Sequence, residues 1–473
     1  MSAPDLAPID PPAVDLSEPR RVHVVGVGGP GMSAVALTLV GMGHTVTGSD
    51  IRERQILDRL RSVGVQVYLG HSREHVVDAD VVTYSTAIPA DLNELDEARR
   101  RGITTVHRSE VLAAICAATH AIGVAGTHGK TTTSSMMMLA LTEADRRPGF
   151  VIGGDVTDMG VGAAWTGSND FVIEADESDG THLRLPLRAA IVTNVDVDHL
   201  DHYGSFDAVV DGFRRFLAAV DGPRVVCADD PVAASLAAEA GAITYGENPA
   251  ADYQIVDAEP DGGAFRFRVE HAGDEIASVR LPLRGRHNVA NACGVIALAH
   301  LLGVDGAVSA AALARFGGVA RRFDVRASDD GATFVDDYAH LPREIDAVLS
   351  GARDSGDGWR RVVAVFQPNR YNRMAEMWQD YGTAFGAADL VILTDIYASG
   401  TQPLPGVTGK LVVNAVCEAD PTRRVVWLPR REDLVRFVAD EIGTGDVCIS
   451  MGCGDIATFP DEVVALRRSR RGH

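Results

Sequence analysis

From residue 22 onward, short apolar runs rich in Val, Ile and Ala alternate with stretches of helical periodicity. Residues 22–27 read as a strand, with a glycine-rich turn over 26–31 and a helix to Leu39 behind it. Strands at 45–48 and 81–84 follow, then one at 121–125 with a helix over 134–142, and further strands at 171–173 and 189–195. Between 252 and 283 the pattern changes. Runs 253–258, 265–270 and 276–283 alternate apolar and polar and are split by Gly/Asp turns, which predicts an antiparallel flank. A helix from His287 to Leu302 comes next. Past Arg321 the alternation resumes, with strands ending at Val335, Phe366 and Met451. Repeated β-then-α units predict an α/β fold with parallel sheets and functional loops at the strands' carboxyl ends.

A chain of 473 residues is too long for one core. The pattern divides it into a disordered lead over 1–20, a Rossmann-like domain over 21–118, a central P-loop domain with the antiparallel flank over 119–320, and a C-terminal Rossmann-like domain over 321–473. No apolar run approaches the ~18 residues of a membrane span, and the lead lacks a basic-then-apolar signal. Six scattered cysteines form no CxxC pair, which fits a reducing cytoplasm. A net charge of −21 argues against nucleic acid as a partner. The basic end, 467–471, reads as a frayed tail.

Two loops have phosphate-binding chemistry. GTHGKTTT at 126–133 sits between a strand and a helix, so backbone N–H groups and the helix N-terminus face an anion. In such a cradle Lys130 bridges terminal phosphates and the Thr131 hydroxyl sits on Mg2+. The motif is a shortened variant, with Val124 where the usual first glycine stands. Of the 44 lysines and arginines, only Lys130 and Lys410 are lysine. A compact charge is thus kept at 130, where a crowded triphosphate favours it over a planar fork. The second loop, 26–31, satisfies GxGxxG with Asp50 about 20 residues on. It cradles a pyrophosphate, and NAD or a UDP-sugar satisfies it equally. The loop Ser85-Thr86-Ala87 either lines the same crevice or is a plain turn.

Glu174 ends a buried strand beside the phosphate loop, the place for a magnesium ligand, while the acids after it are as readily solvated loop charges as ligands. Three acids and two histidines crowd into 194–202, which points to a second cation with His199 as ligand. Asn288 and Asn291 share one helical face and either read a base edge or cap the helix.

These segments together resemble the Mur ligases. The resemblance rests on GVGGPGM (26–32), GTHGKTTT (126–133), EADESD (174–179), NVDVDHLD (194–201), HNVANA (287–292), RRF (321–323), DDYAHLP (336–342) and FQPNRYNR (366–373), in that order. It implies ATP-dependent ligation of L-alanine to the lactyl carboxylate of UDP-N-acetylmuramate through an acyl phosphate, in cytoplasmic synthesis of peptidoglycan precursors. The cofactors implied are ATP and Mg2+ at two sites, with Mn2+ as a substitute. The chain is expected to be a monomer or weak homodimer.

The resemblance also assigns residues. Gly26, Gly28, Gly29, Gly31, Met32, Asp50, Ser85, Thr86 and Ala87 would hold the UDP-sugar. Gly126, Thr127, His128, Gly129, Lys130, Thr131 and Thr132 would hold ATP, with Asn288 and Asn291 towards adenine, Asp337 at the ribose and Arg322 at the nucleotide end. Thr131, Glu174 and His199 would hold metal. Arg370 and Arg373 would clamp the amino-acid carboxylate, a bidentate task, and Tyr338 and His340 would flank the reacting amine. Lys130, Glu174, His199, Arg322, Tyr338 and His340 form the catalytic set, completed by closure of the third domain. Two positions depart from the family pattern, where histidine gives way to Leu341 and to Asn369. Later ligases of the pathway use a carbamylated lysine, and no lysine lies between 131 and 409, which favours the alanine-adding member. A recycling ligase that joins a tripeptide to the same UDP-sugar is the nearest rival. An NAD-dependent oxidoreductase and a non-ligating nucleotide sensor are the readings from other classes.

Overall fold

The computed structural model describes residues 13–472, organised on sheets of five, ten and six strands. The first holds β1 (Arg21–Val25), β2 (Thr45–Asp50), β3 (Gln66–Leu69), β4 (Val81–Tyr84) and β5 (Thr104–His107). Its order is β3-β2-β1-β4-β5 with every pair parallel. The chain leaves β1 and β4 in opposite directions across the sheet, so the glycine loop after β1 lies where ligands bind in such folds.

The second sheet holds β6 (His120–Ala125), β7 (Gly149–Val156), β8 (Val161–Ala164), β9 (Asp170–Glu174), β10 (Ala189–Val192), β11 (Arg224–Cys227), β12 (Ile243–Gly246), β13 (Tyr253–Pro260), β14 (Phe265–His271) and β15 (Asp274–Leu281). The order is β15-β14-β13-β12-β11-β10-β6-β9-β7-β8. β6 sits between β10 and β9, parallel to both. The loops after these three strands therefore share one edge, which brings the segments starting at 126, 175 and 193 together. β13 to β15 are neighbours joined by turns too short for anything but hairpins, which is the expected antiparallel flank.

The third sheet comprises β16 (Asp324–Asp329), β17 (Ala332–Asp337), β18 (Arg361–Phe366), β19 (Leu390–Leu393), β20 (Val425–Trp427) and β21 (Asp446–Met451), in the order β16-β17-β21-β18-β19-β20. Only β16 runs antiparallel to its neighbour. Phe366 is fully buried and stacks on Tyr381 at 5.5 Å between ring centroids. Phe366→Ala is expected to cost about 3–5 kcal/mol of stability, seen as a lower denaturant midpoint with far-UV dichroism as the signal.

The described chain forms two compact units. One runs to Asp257 and includes Phe267–Leu281 and Val289–Gly317; the other is Ala258–Arg266, Pro282–Asn288 and everything from Gly318. The break expected at 118/119 is not a division between units, because the first two sheets share one. Part of the cause is close packing: a Cβ on Gly41, at the end of the helix Pro30–Gly41, would lie 2.7 Å from Trp165 Cβ beside β8. The second unit resumes at Gly318, three residues before the expected start of the C-terminal domain at 321, and two short stretches of the middle segment go with it.

Two terminal expectations need correction. Of the expected lead, 1–12 lie outside the described residues, but Val14 and Leu16 are buried in the same core as Val22, Val24 and Leu39. Alternate apolar positions in a polar stretch were enough to dock it. The basic end is not frayed either: 459–470 is helical, and Arg467 Nε donates to Asp329 Oδ2 at 2.8 Å with its guanidinium over the Phe334 ring. All six cysteines are free, and among the described residues no helix is long and apolar enough to cross a membrane.

Candidate functional site

β6 is buried from its second residue onward and delivers the chain into 126–129. Gly126 and Gly129 have φ of +129° and +83°, where an L side chain is strained. A Cβ on Gly126 would also collide with Thr193 Oγ1, and one on Gly129 would lie 2.9 Å from Asn291 Nδ2. The helix Lys130–Glu143 begins at once, so its unpaired N–H groups face the loop, with Thr132 largely buried in the first turn. Strand β10's continuation fastens the loop from behind. His128 N donates to Asn194 Oδ1 at 2.9 Å and Thr127 N to the Asn194 carbonyl at 3.1 Å. Thr193 Oγ1 and Asn194 Nδ2 donate to the His128 carbonyl at 2.6 and 3.0 Å, and the His128 ring meets Asp196 at 3.0 Å. Asn194 and Asp196, read as part of a cation cluster, thus brace the phosphate loop.

Lys130 Nζ donates to the Gly126 carbonyl at 2.7 Å, to the Thr127 carbonyl at 3.2 Å and to Glu177 Oε1 at 2.8 Å. Burial alone would lower its pKa, but Glu177, Asp176 and Glu174 raise it overall, so it stays charged. Glu177 is only 2% exposed, which rules out the solvated-charge alternative for this acid. Burial lifts its carboxyl to about 7 against the opposing Lys130 charge, and its Oε2 is buried without a hydrogen-bond partner. His199 Nε2 faces this acid at 3.8 Å and Asp198 at 3.1 Å. No spacing rule marks Glu177; only the fold brings it to Lys130.

Glu174 accepts from Thr131 Oγ1 at 3.2 Å and from Gly153 N at 2.8 Å. Two hard oxygen groups side by side fit Mg2+. Among the described residues, no three or more His, Cys, Asp or Glu side chains are gathered to hold a metal alone. That suits an ion whose remaining ligands are water and phosphate oxygens.

On the first sheet, Gly26 N and Val27 N donate to the Ser49 carbonyl at 2.8 and 3.0 Å, and Gly28 N to Asp50 Oδ2 at 2.9 Å. Asp50 therefore ties the glycine loop to the end of β2. The loop 85–89 does lie against it: a Cβ on Gly26 would meet Ile88 Cδ1 at 3.0 Å. Ser85 is half-buried, while Thr86 and Ala87 are exposed. The Met32 side chain, expected at the ligand, is buried in the apolar core instead. Beneath the loop, Glu94 is fully buried and accepts from Ser49 Oγ at 2.8 Å, with the rings of His71 and His75 at 2.8 and 2.7 Å. Burial would raise its pKa, but the charge of His23 and the bonds from Ser49 and His75 bring it down to about 2. A depressed carboxyl stabilises the fold above its unfolded value near 4.5 and loses that contribution as the pH falls towards 2. Wild type should therefore exceed Glu94→Gln in unfolding free energy by about 3 kcal/mol at pH 7, and the gap should close between pH 4.5 and 2 in denaturant titrations.

In the second unit, Asp337 is buried and accepts from Phe323 N and Ala339 N, both at 2.7 Å. Burial raises its carboxyl to about 6. Oδ2 holds the RRF turn to the end of β17, and Oδ1 fixes the turn that follows the strand. Arg321 and Arg322 lie over the Tyr338 ring at 5.0 and 5.1 Å. Tyr338 meets His340 edge-on at 5.4 Å, and the His340 backbone N–H donates to Glu344 at 2.9 Å. Leu341 is buried in the apolar packing. Arg370 has φ +60° and its N–H donates to the Tyr397 carbonyl at 2.9 Å. Arg373 Nη1 donates to Asn369 Oδ1 at 3.0 Å, both side chains being largely buried. The second departure from the family pattern thus sits against one arm of the expected carboxylate clamp. Asn288 Nδ2 donates to the Arg284 carbonyl just before the helix at 2.8 Å, whereas Asn291 sits over Gly129 of the phosphate loop in the first unit.

Comparison with known proteins gives three consecutive family matches. Residues 21–120 match the catalytic domain of the Mur ligase family, 124–299 the Mur ligase middle domain, and 321–454 the glutamate ligase domain of Mur ligases. The UDP-N-acetylmuramate–L-alanine ligase of Rubrobacter xylanophilus is 42% identical over 457 residues, covering 94% of this chain and 99% of that protein. That of Nitrobacter winogradskyi is 43% identical over 460 residues, covering 94% and 98%. Among solved structures, the UDP-N-acetylmuramate-alanine ligase MurC of Thermotoga maritima superposes with a TM-score of 0.80 at 28% identity, covering 95% of this chain and 100% of that one. The murein peptide ligase of Psychrobacter arcticus gives 0.66 at 25% identity over 94% and 98%.

Proposed function

The chain belongs to the Mur ligase family, and from that premise we propose that it joins L-alanine to the lactyl carboxylate of UDP-N-acetylmuramate with conversion of ATP to ADP and phosphate. It is an ATP-dependent ligase of peptidoglycan precursor synthesis, like the relatives it matches over nearly their whole length. The observation that carries the reading is the phosphate loop. A single buried lysine, held by Glu177 and two loop carbonyls, stands beside a Thr131–Glu174 oxygen pair, in the same compact unit as a second glycine loop.

The chemistry follows from the substrates. A carboxylate resists attack by an amine because its carbon is electron-rich and oxide is a poor leaving group. Transfer of the γ-phosphoryl group to a lactyl oxygen, with ADP leaving, makes an acyl phosphate. The amine nitrogen of alanine then adds to the acyl carbon. Collapse of the tetrahedral intermediate breaks the C–O bond to phosphate, and the nitrogen loses its proton. Lys130 neutralises the terminal phosphates of ATP, for which it must exchange its present carbonyl partners. Thr131 and Glu174 would hold Mg2+, with His199 at a second site beside Glu177; the ion supplies charge neutralisation between phosphate and carboxylate. Arg370 and Arg373 would take the alanine carboxylate, with Asn369 setting the orientation of Arg373. Asp337 shapes the RRF turn that presents Arg322. The cytoplasm and a monomer or weak homodimer complete the proposal.

ADP release measured with UDP-N-acetylmuramate and a panel of amino acids plus the tripeptide tests it. Turnover with L-alanine is the expected result. Release with the tripeptide alone would move the chain to the recycling ligases, a reading with the weaker structural likeness of 0.66 against 0.80.

A further inference from the structure

The helix Arg108–Ala117 follows β5, and its first residue spans two loops of the first unit. Arg108 Nη2 donates to Asp176 Oδ2 at 3.1 Å and to Asp179 Oδ2 at 2.8 Å. Each of these aspartates uses its other oxygen on its own loop: Asp176 Oδ1 accepts from Ser178 N at 3.0 Å and Asp179 Oδ1 from Thr181 N at 3.1 Å. The acid loop beside Lys130 is thereby set in shape, with one edge of the guanidinium fixed to it. Arg108's other donors are not spent this way. Its Nε is buried without a partner, and its Nη1 lies 2.6 Å from where a Cβ on Gly31 would be. Gly31 is the last glycine of the first cradle, in the opening turn of the helix Pro30–Gly41. A side chain there would push the guanidinium away. The two N–H groups of Nη1, on a fully charged fork, thus lie against a loop built for a pyrophosphate.

The geometry points to Arg108 as a ligand of the sugar nucleotide's diphosphate. Through Asp176 and Asp179 it also positions the acid loop that holds Lys130. This rests on the reading of 26–31 as the UDP-sugar cradle. An arginine suits both tasks, because its nitrogens are fixed in one plane: Nη2 takes the two carboxylates and Nη1 is left for phosphate oxygens. The acid loop is then anchored to a group that occupancy of the first site orders.

Binding of UDP-N-acetylmuramate and of UDP, each without ATP, should be measured by calorimetry on wild type, Arg108→Ala, Arg108→Lys and Asp179→Ala, with a non-hydrolysable ATP analogue as control. Arg108→Ala is expected to weaken both uridine ligands about 30-fold and to leave the ATP analogue within about twofold. Arg108→Lys should recover part of the loss. The losses of Arg108→Ala and Asp179→Ala should be less than additive in the double variant. Wild-type affinity for UDP-N-acetylmuramate tests the parent reading: no binding sinks both. Wild-type binding with an unchanged Arg108→Ala overturns this inference alone. So does a loss confined to UDP-N-acetylmuramate, which would put Arg108 at the acyl end, or an equal loss for the ATP analogue, which would make it a structural prop.

Discussion

Lys130→Ala is expected to lower ADP release at saturating substrates by about a thousandfold or more, while affinity for UDP-N-acetylmuramate stays within about twofold. The lysine is the only side-chain ammonium within the phosphate loop, and three oxygen partners already hold it there. Removing it leaves terminal phosphate charge without its point neutraliser at the moment that charge migrates. Lys130→Arg does not repair the loss, because the planar fork needs room that the Gly126 and Thr127 carbonyls occupy. The sugar-nucleotide loop lies after β1, on a different sheet, so its affinity should not follow. A variant retaining wild-type turnover would remove Lys130 from the chemistry. Single-turnover formation of ADP separates loss of chemistry from slow product release.

Glu174→Ala should lower kcat about a hundredfold and raise the Mg2+ concentration for half-maximal activity. The carboxylate does two things: it takes the Thr131 hydroxyl at 3.2 Å and the Gly153 N–H at 2.8 Å. Glu174→Gln keeps the shape and loses the charge. If charge on the metal matters, the two variants should share the Mg2+ shift. If only the Gly153 contact matters, Gln should behave as wild type. An unchanged Mg2+ dependence in both variants would place the ion elsewhere. Near-normal thermal midpoints are expected, since Glu174 lies at the end of β9 and not in its apolar body.

Much of this site was legible because function sits where strands end. GTHGKTTT, EADESD and NVDVDHLD each follow an apolar run, and β6, β9 and β10 prove to be neighbours. Pairing between them was not legible. Nothing in the spacing of Glu177 says that it meets Lys130 across 47 positions, or that Asp196 meets the His128 ring. Arg108 carried no motif signal at all, since its partners lie 68 and 71 residues away. Met32 shows the converse: membership of a motif does not say which way a side chain points, and this one fills the core. The lead misled through composition. Its Pro and Asp content outweighed Val14 and Leu16, yet these two apolar side chains on alternate positions are themselves buried. The same holds at the other end, where a run of arginines became ordered because Asp329 and the Phe334 face received Arg467. Element types, by contrast, followed from local periodicity and shifted by only a few residues at their ends.

The near absence of lysine has a practical side. Lys130 is shut in behind carbonyls and an acid, whereas Lys410, at the start of the helix Lys410–Ala419, is exposed. Acylating dyes aimed at side-chain amines should therefore tag one position, on the unit that also bears Arg370 and Arg373. A fluorophore there would report on that half of the molecule during turnover without any cysteine having to be engineered.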